Sequence, residues 1–286
     1  MTFLIPQQLA ASCASSRERS EWLNGLGTTI GTVRSKWSLS LGAPFDGDDV
    51  SCSWVAPATR VDGSLAILKI GMPHMEAEHE IDALRLLDGD PTARLLEADH
   101  DLNAMLIERC EPGSKLREMF QPDQDVIIAE LLKRFWRVPA EPHPFRPLSV
   151  MIDYWMKQTR RDEPRWHDKA LVTAGLDLFE ELSLGSLASV LLATDLHAGN
   201  VLSSEREPWI VIDPKPFVGE RAFDATQHLL NCRARLRIEP FETMRRMSDL
   251  LEVDYDRVRA WTFARLAAEP RDNWDDEATE LAKKVA

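Results

Sequence analysis

The chain has 286 residues, 44% of them apolar and 28% charged, which is enough for a substantial core in one large domain or two lobes. Its formal net charge of −13 argues against nucleic acid or an anionic membrane as the main partner; it permits a cationic small substrate and equally serves solubility alone. No apolar run approaches the ~18 residues of a membrane span, and Met1 to Gln8 lacks the basic segment of a signal peptide. The cysteines, Cys13, Cys52, Cys110 and Cys232, form no C-x-x-C pair, and none stands near a His at metal-ligand spacing. A cytoplasmic protein without a disulfide framework is therefore expected.

Taken in chain order, residues 7–36 read as mostly helical, with a break at Asn24-Gly25-Leu26-Gly27. Trp37 to Leu41 alternates apolar and polar residues as a half-buried strand does. After the turn Asp46-Gly47-Asp48-Asp49, Val50 to Arg60 and Leu65 to Ile70 read as two strands about the hairpin turn Val61-Asp62-Gly63-Ser64. A helix over 74–88 ends at Asp88-Gly89-Asp90-Pro91. Two short strands follow, at 94–99 and 104–108, and Arg109 to Gly113 reads as a linker. Beyond it helical patterns dominate, at 123–138, 148–161 and 167–183, with prolines 139, 142, 144 and 147 forbidding regular helix between the first two. A loop and a short β-hairpin occupy 193–213, and helices return at about 220–231, 239–252, 254–268 and 273–284. This is an α+β pattern, strand-rich and then helix-rich, and it predicts two lobes, 1–109 and 110–286, with a cleft between them.

The segment Thr194-Asp195-Leu196-His197-Ala198-Gly199-Asn200 carries the sharpest chemical signal. An Asp and an Asn five residues apart follow an apolar run, and the strand Trp209 to Ile212 then ends in Asp213. In phosphoryl transfer an Asp takes the hydroxyl proton and aligns the attacking oxygen, while an Asn oxygen and a second carboxylate hold magnesium. Asp195, Asn200 and Asp213 fit those roles. Lys69 stands in an otherwise apolar strand, where a lysine either emerges at an edge or meets a phosphate and a carboxylate. Its partner would be Glu80 or Glu76, and Glu80 lies beside the apolar stripe of its helix. His197 has no second His nearby and reads as a structural hydrogen-bonding group, and His143, His167 and His228 have no visible partners.

These residues resemble the aminoglycoside phosphotransferase family of protein-kinase-like fold, in the branch of streptomycin 6-phosphotransferases and hydroxyurea resistance kinases. The likeness is strongest in Asp195 to Leu202 and in Val211-Ile212-Asp213-Pro214-Lys215-Pro216-Phe217-Val218-Gly219-Glu220, and extends over roughly residues 30–286. It implies an antiparallel-sheet N-terminal lobe, a mostly helical C-terminal lobe, and ATP and Mg2+ as cofactors. It makes Asp195 the catalytic base, Asn200 and Asp213 the magnesium ligands, and Lys69 with Glu80 the phosphate-orienting pair. The backbone from Glu108 to Cys110 becomes the adenine-binding hinge, and Asp224 a support for the catalytic loop. Two departures stand out. Ala193-Thr194 replace the family's His-Gly, removing a side chain that buttresses the loop. The nucleotide-covering loop has only Gly47 between Asp46 and Ser53, leaving Ser51, Ser53 and backbone amides to cover the phosphates.

The leading expectation is an ATP- and Mg2+-dependent kinase whose acceptor is a hydroxyl of a small, cationic molecule such as streptomycin. The alternative is a catalytically weak relative that binds nucleotide or ligand as a regulatory module. A metallohydrolase built on D-x-H lacks the further His and acid ligands such a site needs. Acceptor contacts are expected from the helical lobe, among Asp153, Tyr154, Asp177, Glu180, Glu181 and the segment Gln227 to Asn231.

Overall fold

The computed structural model describes residues 3–14, 16–47, 52–184, 189–271, 274 and 276–286. The chain forms two compact units, one of Met1–Ser114 with Leu202–Ile212 and one of Lys115–Val201 with Asp213–Ala286.

In the first unit α1 (Gln7–Cys13) and α2 (Arg17–Lys36) precede β1 (Ser40–Leu41), β2 (Ser53–Thr59) and β3 (Leu65–Gly71). Then come α3 (Glu80–Leu87), β4 (Leu95–Asp99), β5 (Ala104–Glu108) and β6 (Pro112–Lys115). The first five strands form an antiparallel sheet ordered β1-β2-β3-β5-β4. Side chains alternate between its faces. Trp54, Ala56, Ala58, Ala66, Leu68 and Ile70 share a core with Leu26, Ile30 and Val33 of α2. The four- and three-residue steps between those α2 residues put them on one helix face. The other face of the sheet holds Ile67, Met105 and Ile107, packed with Ile81 and Leu84 of α3.

Several local expectations need correction. Helix α2 runs unbroken through Asn24 to Gly27, because Leu26 is a buried member of its core face while Gly25 and Gly27 meet open space. Tertiary packing overrides the weak glycine propensity. The strand expected at 37–41 shrinks to β1. Its first residues instead close α2, with Ser38 at φ 53 and the Leu39 N–H donating to the Arg34 carbonyl. The helix expected at 74–88 is a 3-10 turn at Met75–Ala77 and then α3, separated by His79 in the left-handed region at φ 76. The end of the expected linker belongs to β6.

The second unit contains α4 (Gln121–Phe135), α5 (Leu148–Arg161), α6 (Lys169–Ser183) and β7 (Ser189–Leu192). The hairpin β8 (Val201–Ser204) and β9 (Ile210–Val211) follows and pairs with β6 in the order β6-β8-β9. The chain continues through β10 (Phe217–Glu220), α7 (Arg221–Asn231), α8 (Arg233–Ile238), α9 (Pro240–Leu251), α10 (Tyr255–Ala268) and α11 (Asp276–Val285). Strands β7 and β10 and the short helix α8 go beyond the sequence expectation. The core of this unit is aromatic: Phe223 meets Trp261 edge-on at 5.1 Å, and Phe179 lies 6.2 Å from both Trp155 and Trp261.

Candidate active site

Strands β7 and β10 pair antiparallel with Leu192 opposite Phe217, and the segments just beyond that pair carry Asp195 and Asp213. Those segments stay joined. The Lys215 N–H donates to the Ala193 carbonyl at 3.0 Å, and the Thr194 hydroxyl donates to the Lys215 carbonyl at 2.6 Å. Asp224, in the first turn of α7, completes the junction. Its Oδ2 accepts from Trp136 Nε1 at 2.8 Å and the Ala193 N–H at 3.0 Å, and its Oδ1 from the Thr194 N–H at 2.9 Å. Complete burial pushes the Asp224 carboxyl up to about 6, against the opposing pull of these three donors.

Thr194 explains what replaces the family's His-Gly. Its φ of 46 lies in the left-handed region, which suits glycine and strains a β-branched residue. The bonds of its N–H and hydroxyl hold it there. The loop thus keeps its support through backbone donors and a threonine hydroxyl.

Asp195 is half-buried, and its carboxylate accepts a hydrogen bond from Gln227 Nε2 at 2.6 Å. Asn200 Nδ2 donates to the Asp195 carbonyl at 3.1 Å, which assigns the amide and leaves Oδ1 as the ligand-type oxygen. Between them, His197 Nδ1 accepts from the Gly199 N–H at 3.0 Å and caps the 3-10 turn Ala198–Asn200, the structural role expected of it. A Cβ on Gly199 would lie 2.6 Å from His197 Cε1, so only glycine fits there. Asp213, at φ 55, is ion-paired with Lys215. An amide oxygen and a carboxylate are the donor types a magnesium ion takes, so Asn200 and Asp213 fit that ion chemically.

In the first unit Lys69 lies opposite Val55 and Met105, on the α3 side of the sheet. Its Nζ donates to Glu80 Oε1 at 2.5 Å, with the two side chains 7% and 4% exposed. Glu80 is the buried candidate and pairs with Lys69, whereas Glu76 and Glu78 are half-buried. Ser53 begins β2 on the same sheet face as Lys69. Ser51, with Asp48 and Asp49, lies outside the described residues.

The Glu108 side chain is engaged elsewhere. It takes a forked pair of bonds from Arg206, Nε to Oε1 at 3.0 Å and Nη2 to Oε2 at 2.9 Å, and a further one from the Arg94 N–H. Burial pushes this carboxyl up, but Arg206 and the Arg94 N–H outweigh it and hold it below its ordinary value. Arg206 also donates to the Gly89 and Thr92 carbonyls, tying the hairpin to the rest of the first unit, to which it belongs. Burial and the Glu108 charge push the Cys110 thiol up to about 11, so it is neutral near pH ~7. Its carbonyl faces Gly113, at φ 74, where a Cβ would come within 2.9 Å of it.

His228 and Cys232 require a correction, since the structure gives them the partners that the sequence hides. Asp125, His228 and Cys232 present ligand-type atoms within 4.8 Å of one another, all buried. His228 Nε2 meets Asp125 Oδ1 at 2.9 Å, and Arg235 and Arg246 bond to the same carboxylate at 2.9 and 3.0 Å. Burial works against charge on His228, but Asp125 prevails and moves its pKa up to about 9. A protonated imidazole beside two guanidinium groups repels a metal cation, so this cluster is a structural ion pair.

Together the antiparallel sheet, the helical second unit and this loop define a phosphotransferase of protein-kinase-like fold. Choline kinase LicA from Streptococcus pneumoniae superposes with a TM-score of 0.66, at 13% identity, covering 90% of this chain and 99% of that one. The family model for aminoglycoside/hydroxyurea antibiotic resistance kinases matches residues 40–277, and the chain belongs to that family. It is similar to streptomycin 6-kinase of Streptomyces glaucescens, 33% identical over 92% of this chain and 88% of that protein. It is also similar to hydroxyurea phosphotransferase of Kitasatospora aureofaciens, 31% identical over 98% of this chain and 81% of that protein. The expected branch and fold class hold, and the protein is a small-molecule kinase that transfers phosphate to a hydroxyl. No described helix is long and apolar enough to cross a membrane.

Proposed function

We propose that the enzyme moves the γ-phosphate of ATP, with Mg2+, to a hydroxyl of an aminoglycoside such as streptomycin. The observation that carries this reading is the loop in which Asp195, Asn200 and Asp213 are joined by the bonds of Asp224, Thr194 and Lys215. Asp195 accepts the acceptor's hydroxyl proton as its oxygen bonds to the γ-phosphorus. The bond from that phosphorus to the β-phosphate oxygen breaks, and ADP leaves. Asn200 and Asp213 would hold Mg2+, which neutralises phosphate charge when bound. In the first unit Lys69, held by Glu80, contacts the phosphates, Ser51 and Ser53 cover them, and backbone from Glu108 to Cys110 holds adenine.

The name of the streptomycin 6-kinase relative and the −13 charge support a cationic acceptor. Asp177, Glu180 and Glu181 are exposed on α6 and make up part of that charge. Transfer from labelled ATP to streptomycin, hydroxyurea and neutral alcohols tests the proposal. Streptomycin is expected to be the best acceptor, with a KM that rises between low salt and ~0.15 M, where the screening length is ~8 Å. A neutral best acceptor, or a KM indifferent to salt, sinks the aminoglycoside assignment. Nucleotide binding without transfer to any of them favours a regulatory role.

A further inference from the structure

The carboxylate of Asp195 ends a chain of polar contacts that runs back into the helical core. Gln227 Nε2 donates to Asp195 Oδ1 at 2.6 Å, and Gln227 Oε1 accepts from Arg265 Nη2 at 2.7 Å. Arg265 is held on every side. Its Nε and Nη2 bond to Glu269 at 2.7 and 3.0 Å, and its Nη1 donates to Thr226 Oγ1 at 2.8 Å. Its guanidinium lies over Trp155 and Phe223, 5.4 and 5.2 Å from the ring centres, and the residue is 5% exposed.

This chain of contacts has a direction. A guanidinium only donates, so the Gln227 atom facing Arg265 must be the amide oxygen. The atom facing Asp195 must then be the NH2 group, and Asp195 Oδ1 must accept. The Gln227 amide therefore cannot flip without opposing two donors at Arg265 and two acceptors at Asp195. The placement on α7 reinforces the grip. Asp224 and Gln227 are three residues apart on one helix face, so a single turn binds the backbone before Asp195 and the side chain of Asp195 itself.

We propose that Gln227 is a positioning residue for phosphoryl transfer. Clamped by Arg265 and Glu269, it holds the Asp195 carboxylate in one rotation, so that the acceptor hydroxyl meets it in a fixed direction. This rests on Asp195 being the base. Most of the catalysis in such a reaction is alignment, so losing the clamp should lower turnover and leave nucleotide binding alone.

The test compares wild type with Gln227→Met, which keeps the volume and removes the donor, and with Gln227→Ala. Steady-state kinetics are measured with saturating acceptor alongside thermal melts and a crystal structure of Gln227→Met. The expected result is a fall in kcat of about 10- to 100-fold in both variants, with nucleotide KM within about two-fold and folding retained. In the crystal, Asp195 should leave its wild-type rotamer. Glu269→Gln, which keeps an acceptor for Arg265, should show a smaller fall in kcat. A merely structural Gln227 would lower the melting temperature without splitting kcat from KM. Wild-type kcat in Gln227→Met, or an unmoved Asp195 in its crystal, overturns the inference and leaves the kinase assignment standing. A wild type that transfers no phosphate overturns the assignment of Asp195 as base, while the Asp195 rotamer in the variant still decides whether Gln227 holds it.

Discussion

Asp224→Asn separates the two jobs of the buried carboxylate behind the Asp195 loop. Asp224 accepts three N–H groups on two oxygens, and an amide has one oxygen to offer. With that oxygen in the Oδ2 place, Trp136 and Ala193 keep their acceptor, and the new NH2 group faces the Thr194 N–H. The opposite rotamer strands two donors and is worse. One stranded, buried N–H costs about 1–3 kcal/mol. Against this, the variant no longer buries a charge. The shift of the Asp224 carboxyl from 3.8 up to about 6 corresponds to a cost of about 3 kcal/mol for carrying that charge above pH ~6. The two nearly cancel, so stability near pH ~7 should change by no more than about 2 kcal/mol. Activity should not be spared, because the donor clash falls on Thr194, the residue before Asp195. A misplacement of about 1 Å costs ~10²-fold in rate, and kcat should fall by about that factor. The pH dependence supplies an independent check. A carboxyl with a raised folded pKa contributes stability that is present below its unfolded value of 3.8 and is lost as pH rises through about 6. Wild type should therefore lose stability relative to Asp224→Asn between about pH 5 and about pH 8, as urea melts at both values would measure. A variant that loses ground to wild type over that interval, or that keeps wild-type kcat, refutes this account of the loop.

Asp195→Asn should lower kcat by about 10²- to 10⁴-fold with little change in nucleotide affinity, measured by steady-state kinetics and nucleotide titration. Lys69→Met leaves the buried Glu80 carboxylate unpaired and should cost about 3–5 kcal/mol in urea melts, whereas adding Glu80→Leu should restore most of that stability without restoring nucleotide affinity. His228, whose pKa burial opposes but Asp125 moves up to about 9, stabilises the fold fully below 6.5 and loses that contribution as pH rises through about 9. Over that range wild type should lose about 3 kcal/mol relative to His228→Gln, and parallel stability curves would remove the imidazolium from the ion pair.

What is legible in the sequence and what is not divide along physical lines. Helix α5 matches its periodic pattern end to end, because an amphipathic stripe is a local property. Asp195, Asn200 and Asp213 stand out in the sequence as candidates because their residue types and short spacing travel together. Lys69 and Glu80 are legible because a lysine in an apolar strand needs a nearby acid, here eleven residues away. Other partners lie far along the chain and carry no local signal: Trp136 is 88 residues from Asp224, and Asp125 is 103 residues from His228. These pairs are set by which helices pack together. Gln227 appears in the sequence only within a stretch of possible acceptor contacts, and Arg265 sits in a helix as any arginine might. The continuous α2 and the left-handed Thr194 follow the same logic, since packing and hydrogen bonding override what glycine and threonine prefer locally.

Helix α7 is where these threads meet. Within five residues it places Asp224 on the backbone of the loop before Asp195, Gln227 on the carboxylate of Asp195, and His228 in the buried ion pair with Asp125. Its i, i+3 and i+4 spacing lets one helical turn address the site and the core together. The helix is only eleven residues long, so a rotation that misplaces one of these contacts displaces the others. A substitution that disturbs the core face of α7 should therefore lower turnover as well as stability. Gln227→Met, at the half-buried end of the same turn, should lower turnover alone. That contrast distinguishes a helix that orients the Asp195 carboxylate from one that merely supports the fold around it.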